Sequence, residues 1–376
     1  MARLGFCARP PNKSGHPARC LAVVFLVSCL STGAYAASSA DQDKVLPFTV
    51  QVPYGFLFLH LPAVSAEIPP LHAWAFDTWA TVTNNFIYSD NVGDYLAKRT
   101  SRAPMTSADF DAIAAAHPGE DYYYYDAQIS SLYARVATTV APSLAVGARF
   151  SVIGISGGQG MDGFVEGFHS VFGLGQAYRD VVTRGQTTSA IRIGGIEDFN
   201  PENSRVGVGD PIVFAIWAPG RSARAWRVSL IAGVKVPIGS TSKRLSTGNA
   251  DFGTALALTG DLGRWCVNLN AGVIVPGDIE FFPALDPAPT AAFAGSVGYR
   301  FQTTSLWVQL QWEQSPLRQA TDMPLAHDIY DVSIGTRFPV AGSVRGYVAV
   351  TENVVAFENS SDIGFHGGVT WIVGGK

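Results

Sequence analysis

Beyond residue 29 the chain holds a single cysteine, Cys266. No intramolecular disulfide is available to that part, so an exported form must hold together by pairing and packing alone. Charge is scarce as well. Asp, Glu, Lys and Arg make up 15% of the residues, against roughly 25% in soluble domains. After residue 30 no apolar run reaches the roughly 18 residues that a membrane-spanning helix needs. Catalytic signatures are missing too: there is no phosphate-binding Gly-Lys loop, no His-Glu-x-x-His and no cysteine pair. Six histidines follow residue 36: His60, His72, His117, His169, His327 and His366. None has a serine two residues on, the spacing that would set base and nucleophile on one face of a strand. The expectation is therefore a protein without catalytic residues, cofactor or bound metal, with a cross-chain hydrolase triad as a remote alternative.

What is present begins at the N-terminus. Residues 1–19 carry Arg3, Arg9, Lys13 and Arg19 and no acid, then comes the apolar run Cys20–Leu30, then Ala34-Tyr35-Ala36. This is the pattern of a secretory signal cleaved after Ala36, with lipoprotein processing at Cys29 in Leu-Val-Ser-Cys as a minor alternative. Residues 1–36 contain four of the 26 basic residues and none of the 30 acids, so residues 37–376 carry 22 against 30, net −8. Such a balance argues against nucleic acid as a partner.

Aromatics are 11%, glycines number 39 and mean hydropathy is +0.17. An exported, apolar chain without a spanning helix has one membrane solution, a closed β-barrel, because backbone groups in lipid must be satisfied within the protein. The strand pattern agrees. In Arg264–Val275, Trp265, Val267, Leu269, Ala271, Val273 and Val275 alternate with Arg264, Cys266, Asn268, Asn270 and Gly272. Residues 305–313 and 226–236 repeat this, and similar segments lie near 126–140, 143–155, 204–218, 251–260, 289–301, 327–338, 343–357 and 361–373, with weaker ones near 48–60 and 76–88. Several are ten residues or more, long for a soluble sandwich, where strands average about five or six. Trp79, Tyr133, Trp217, Trp226, Trp265, Trp312 and Trp371 stand near segment ends, as amphipathic rings do at a membrane boundary. The fold expected is an all-β, antiparallel transmembrane β-barrel of about 12 strands, range 10–14, over residues 37–376. Its partner is the lipid bilayer of the bacterial outer membrane. The oligomeric state is left open.

One stretch breaks the period of two. In Asp162–Gly175 the apolar Phe164, Val165, Phe168, Val171 and Phe172 follow a helical period, with Asp162, Glu166 and His169 on the other side. The expected helix sits in a loop at about 157–203. The run Gly157–Asp180 resembles the helical segment of an uncharacterised outer-membrane family, domain of unknown function family 3187, through Asp162, Gly163, Phe164, Phe168, His169, Phe172, Gly173, Leu174 and Arg179. Ser170 and Gln176-Ala177-Tyr178 depart from that pattern. The resemblance implies an outer-membrane barrel and brings no catalytic residue. Two placements suit the helix: in the barrel mouth with its phenylalanines on the wall, or flat at the interface with them in lipid. The first, covering or partly plugging the mouth with His169 near the opening, is the expectation. Asp162, Glu166 and His169 could ligate a metal, but the plainer reading is a solvated polar face.

The polar face of the strands offers Arg135, Arg149, Arg227, Lys235, Arg264, Arg300, Arg337 and Arg345 against Glu313 and Asp331. A lumen lined this way suits a passive pore or small-solute conduit for small anions. The alternative is a closed-lumen structural or ligand-binding barrel with those charges paired.

Overall fold

Alternation over ten or more residues gives each strand one greasy and one polar face, and closing the sheet hides the polar faces together. The structure, a computed structural model, describes residues 46, 50–61, 64–172, 178–201, 204–219, 226–320, 323–353, 359 and 361–374; the expected signal segment 1–36 lies outside them. In chain order it has β1 (Trp74–Tyr88), α1 (Asp90–Leu96), α2 (Ser107–Ala116), β2 (Tyr122–Ala141), β3 (Leu144–Ser156), α3 (Gln159–Phe172), β4 (Thr188–Ile193), β5 (Ile196–Asn200), β6 (Arg205–Val208) and β7 (Ile212–Trp217). There follow β8 (Trp226–Lys235), β9 (Asp251–Leu262), β10 (Trp265–Val275), β11 (Thr290–Phe301), β12 (Thr304–Glu313), β13 (Ile329–Ala341), β14 (Val344–Glu352) and β15 (Ile363–Val373).

Strands β1, β2, β3 and β7 to β15 pair antiparallel in sequence order, and β1 pairs with β15 from Trp74↔Val373 to Asn84↔Ile363. The result is a closed barrel of twelve strands with no free edge. Strand β6 continues β7 along β3; Pro211, which cannot donate to a ladder, separates them. Tight turns at 142–143, 263–264, 302–303 and 342–343 close one end, the periplasmic end by the usual barrel habit. Long loops close the other. There β1 and β2 stand above the wall, β2 pairs with β4 through Tyr122–Asp126, and β5 extends that small sheet.

The outer surface is apolar. Val228, Leu230, Leu256, Leu269, Val273, Val297, Val308, Leu310, Ile334 and Val348 are all exposed, at the belt positions that meet lipid. Trp74, Trp217, Trp226, Trp265 and Trp371 ring the periplasmic end, also exposed. Trp79 and Tyr133 do not belong to that ring: both point inward, buried and stacked with centroids 4.9 Å apart. Trp79 shares parity with Asp77, so it could only face the same way. No helix among the described residues is long and apolar enough to cross a membrane.

Of residues 48–60, which alternate like a strand, the described ones, 50–60, form none. The segment from Leu46 to Leu71 runs inside the barrel instead. Its described residues are nearly all buried. From Leu46, beside mid-strand Gln309, it climbs to an apex at Tyr54–Phe58, where Tyr54 takes a positive φ of 59° to make the turn. The apex packs against Ile87, Tyr123, Tyr125, Ile279, Phe282, Leu317 and Leu325 of the loop end. The chain then descends past Asp251, Asn270 and Thr259 to a bridge between Leu71 and Thr139 at the periplasmic end, where β1 starts.

Candidate functional site

The lumen is the first site. A segment with no strand neighbour still has to satisfy its peptide groups, and the inward side chains of the wall do so level by level. Gln309 both donates to Leu46 O and accepts from Leu46 N, at 3.3 Å each. Leu59 N donates to Asp251 (2.6 Å), Val64 N to Asn270 (3.2 Å) and Ala66 N to Thr259 (2.8 Å). In the other direction Lys235 donates to Leu57 O (2.8 Å), Arg149 to His60 O (3.2 Å) and Thr139 to Pro69 O (2.7 Å). Gln51 donates to the Tyr133 hydroxyl and accepts from Ser131. Around Leu46, Trp79, Tyr133, Trp307, Tyr347 and Cys266 form an apolar layer.

Several charges of the inner face are held in ion pairs. Arg135 donates to Asp77 at 2.7 Å. Arg227 bridges Glu67 of the inserted segment and Asp261 of the wall, and Asp261 also holds Arg300. Lys235 lies 3.0 Å from Asp251 and 3.6 Å from Asp210. Glu313 meets His60 of the segment at 2.9 Å. Arg149 lies over the Tyr133 ring and Arg337 over Tyr347. Asp331, paired in register with Gln311, and Arg345, paired with Thr370, share the inward parity of their strands. Arg264 corrects the period-based reading. It sits in the β9–β10 turn, exposed, with a 3.4 Å contact to the Tyr299 hydroxyl, and does not line the lumen.

The second site is at the rim, outside the wall. Asn84 and Asp126 have outward parity on β1 and β2, just above the belt. Arg179, in the loop after α3, reaches them both and Asp162 of α3. It lies 2.7 Å from Asp126 and 3.2 Å from Asn84, contacts Asp162 directly, and stacks over Phe86 at 4.6 Å. Asn84 donates to Asp162 at 3.0 Å, and Asp162 also accepts from Gly185 N at 2.7 Å. All four side chains are buried. Two turns further along the helix, His169 meets Glu352 of β14 at 3.4 Å. Beside them, in the loop before β15, burial pushes the Asp362 carboxyl up to about 7, against the pull of Arg179 and His169.

These contacts overturn the expected placement of the helix. Asp162 and His169 face the barrel's outer wall, together with the fully buried Val165, and do not face water or the lumen. Glu166 bonds Arg102 and Arg184 of the neighbouring loops. Phe164 and Val171 are exposed, Phe168 is half-buried, and the Phe172 side chain lies outside the described residues. The helix therefore lies against the outside of the wall, and the inserted segment is what occupies the lumen. The sequence carried one sign of that segment. Pro53, Pro69 and Pro70 punctuate it, and proline does not sit in a paired central strand. Among the described residues no group of three or more His, Cys, Asp or Glu side chains is set to hold a metal.

The model of a family described as "Protein of unknown function (DUF3187)" matches residues 110–372. No curated protein matches the chain in sequence. Among solved structures, an outer membrane channel from Pseudomonas putida F1 is similar at a TM-score of 0.49 and 10% identity, covering 82% of this chain and 98% of that one. The KdgM porin in complex with disordered oligogalacturonate gives 0.35 and 9%, covering 67% and 95%. Outer membrane phospholipase A from Escherichia coli gives 0.33 and 11%, covering 81% and 93%.

Proposed function

The chain belongs to that family of proteins of unknown function, DUF3187, and from this premise we propose that it is an outer-membrane conduit for small solutes whose resting state is closed by its own residues 46–71. One observation carries the reading. The inserted segment is bonded to the wall at every level from Leu46 and Gln309 to Pro69 and Thr139. A barrel serving only as a scaffold could fill its lumen with large wall side chains. Here wall positions such as Asn268, Asn270, Thr259 and Gln309 are polar and of modest size, and a removable strand of chain fills the space between them. With the segment displaced, Arg227, Lys235 and Arg149 each lose one partner on the segment and face the opened path, which favours anionic solutes. No reaction is assigned.

Planar-bilayer recording tests this. The intact protein should stay closed for most of the record, and a variant lacking residues 46–71 should conduct steadily. Steady low-voltage conduction by the intact protein would remove the segment as a plug. A folded deletion variant that stays silent would instead favour a permanently closed, structural barrel.

A further inference from the structure

Helix α3 has three sides, and only two are accounted for by the protein and by water. Successive residues turn by about 100°, so Asp162, Val165 and His169 share one side, buried against the wall. Gly163, Gly167 and Ser170 share the second. It is exposed, and the two glycines face open space. Phe164, Phe168 and Val171 share the third; Val171 is 79% exposed and Phe164 47%. Small residues on one exposed side and large apolar ones on the other is a partition that water alone does not produce, because each exposed apolar side chain costs free energy in water.

The neighbourhood of the third side names its occupant. Phe164 packs edge-on against Phe365, centroids 5.3 Å apart, and stacks with Phe168. Phe365 has outward parity on β15, in line with Val369, Trp371 and Val373 of the lipid-facing belt. The apolar side of α3 is thus continuous with the surface by which the barrel meets the bilayer. The polar side that usually faces water in an interfacial helix is here turned inward and locked by Arg179, Asn84 and Glu352.

We propose that α3 lies in the plane of the outer leaflet as an anchor, with Phe164, Phe168 and Val171 among lipid acyl chains. Rigid attachment to the rim would fix the depth of the barrel in the membrane. The idea rests on the outer-membrane reading.

Nitroxide labels at Val171→Cys, Phe164→Cys and Ser170→Cys test it, each in the full chain refolded into phosphatidylcholine–phosphatidylglycerol vesicles. The native Cys266 is fully buried and is not labelled in the folded protein, and Cys7, Cys20 and Cys29 are replaced by serine in every labelled variant. A label at Leu269→Cys, on the belt, serves as reference, and the heat-modifiable gel shift of the barrel reports folding. Collision with dissolved oxygen should exceed collision with a water-soluble nickel chelate at 171 and 164, as at 269, and the order should reverse at 170. If 171 and 164 behave like 170 while 269 reports lipid, the helix lies in water and the proposal is wrong. If they are shielded from both reagents, a second protein copy covers them and the proposal is equally wrong. A water-like reading at 269 would instead sink the membrane assignment itself. Two independent labels on the third side keep the test alive should one variant fail to fold.

Discussion

Leu46 and Gln309 exchange two hydrogen bonds across the barrel interior, N–H to Oε1 and Nε2 to carbonyl, both 3.3 Å. A side-chain amide here completes one peptide unit much as a neighbouring strand would. Replacing it with an apolar residue of similar size leaves a buried donor and acceptor unmet, which costs about 1–3 kcal/mol. In Gln309→Leu that cost falls on the docked segment and not on the wall, whose ladder is backbone. Single-channel recordings should show the open fraction rising about tenfold for every 1.4 kcal/mol, with the barrel's gel shift unchanged. An unaltered open fraction would mean that Leu46 is not part of the seal.

The belt makes a separate prediction. Leu269 is 38% exposed on the lipid side of β10, between the buried, inward-facing Asn268 and Asn270. Leu269→Arg should cost about 2–4 kcal/mol, and Leu269→Ala well under half of that. Urea titration of variants refolded in lipid measures both. Equal losses would place residue 269 away from the bilayer midplane.

At the rim, Arg179 holds two buried carboxylates, Asp126 and Asp162. Removing one partner of such a group is worth about 3–5 kcal/mol, because charge is left buried and unpaired. Arg179→Met should free α3 without opening the barrel. Limited proteolysis should cut near 178–185 in the variant and spare those residues in the intact protein. The pair Arg179→Met, Asp162→Asn should recover part of the loss, since one orphaned charge is gone.

How much of this was readable before the fold was known follows from what periodicity can carry. A period of two separates Cys266, Asn268 and Asn270 from Leu269 and Val273, and in a membrane barrel only one of those faces can meet lipid. Strand faces and strand number were therefore legible. Partners were not: nothing local says that Arg227 meets Glu67, some 160 positions away. The helix shows the limit most clearly. Its wheel gives an apolar and a polar side, and in water the apolar side would pack inward. In a bilayer the solvent is apolar, so the polar side docks, and the sign of the inference reverses. Residues 48–60 misled for a related reason. An apolar, alternating segment suits the interior of a barrel as well as its wall, and only its prolines told against pairing.

Asp362 gives the rim a pH dependence of defined sign. Burial raises its carboxyl to about 7 in the folded protein, above the roughly 3.9 of an unfolded aspartate. The folded state then binds more protons than the unfolded one between these values, so stability falls as pH rises from about 4 to 7. Arg179 and His169 moderate the effect. In Asp362→Asn this decline should flatten. Protection of the rim against protease at pH 5 and pH 8, in both proteins, checks it; identical pH profiles would remove Asp362 as the cause.

Arg227 and Arg264 differ in sequence only by strand, and both carry the parity of an inner face. In the structure they part. Arg227 is bound between Glu67 of the inserted segment and Asp261 of the wall. Arg264 is exposed in the β9–β10 turn beside Tyr299. While the segment is seated, Glu67 neutralises Arg227. Once residues 46–71 are gone, Arg227 loses Glu67 and keeps Asp261, which also holds Arg300, and that level of the path becomes more positive by one carboxylate. A ring of this sign favours anions. In the deletion variant, Arg227→Gln should therefore move the reversal potential in a chloride gradient toward zero selectivity, whereas Arg264→Gln should leave it in place. The opposite order would put the periplasmic turn, and not the β8 level of the lumen, at the selective point. No change in either would take both arginines out of the permeation path and leave the anion preference without a structural source.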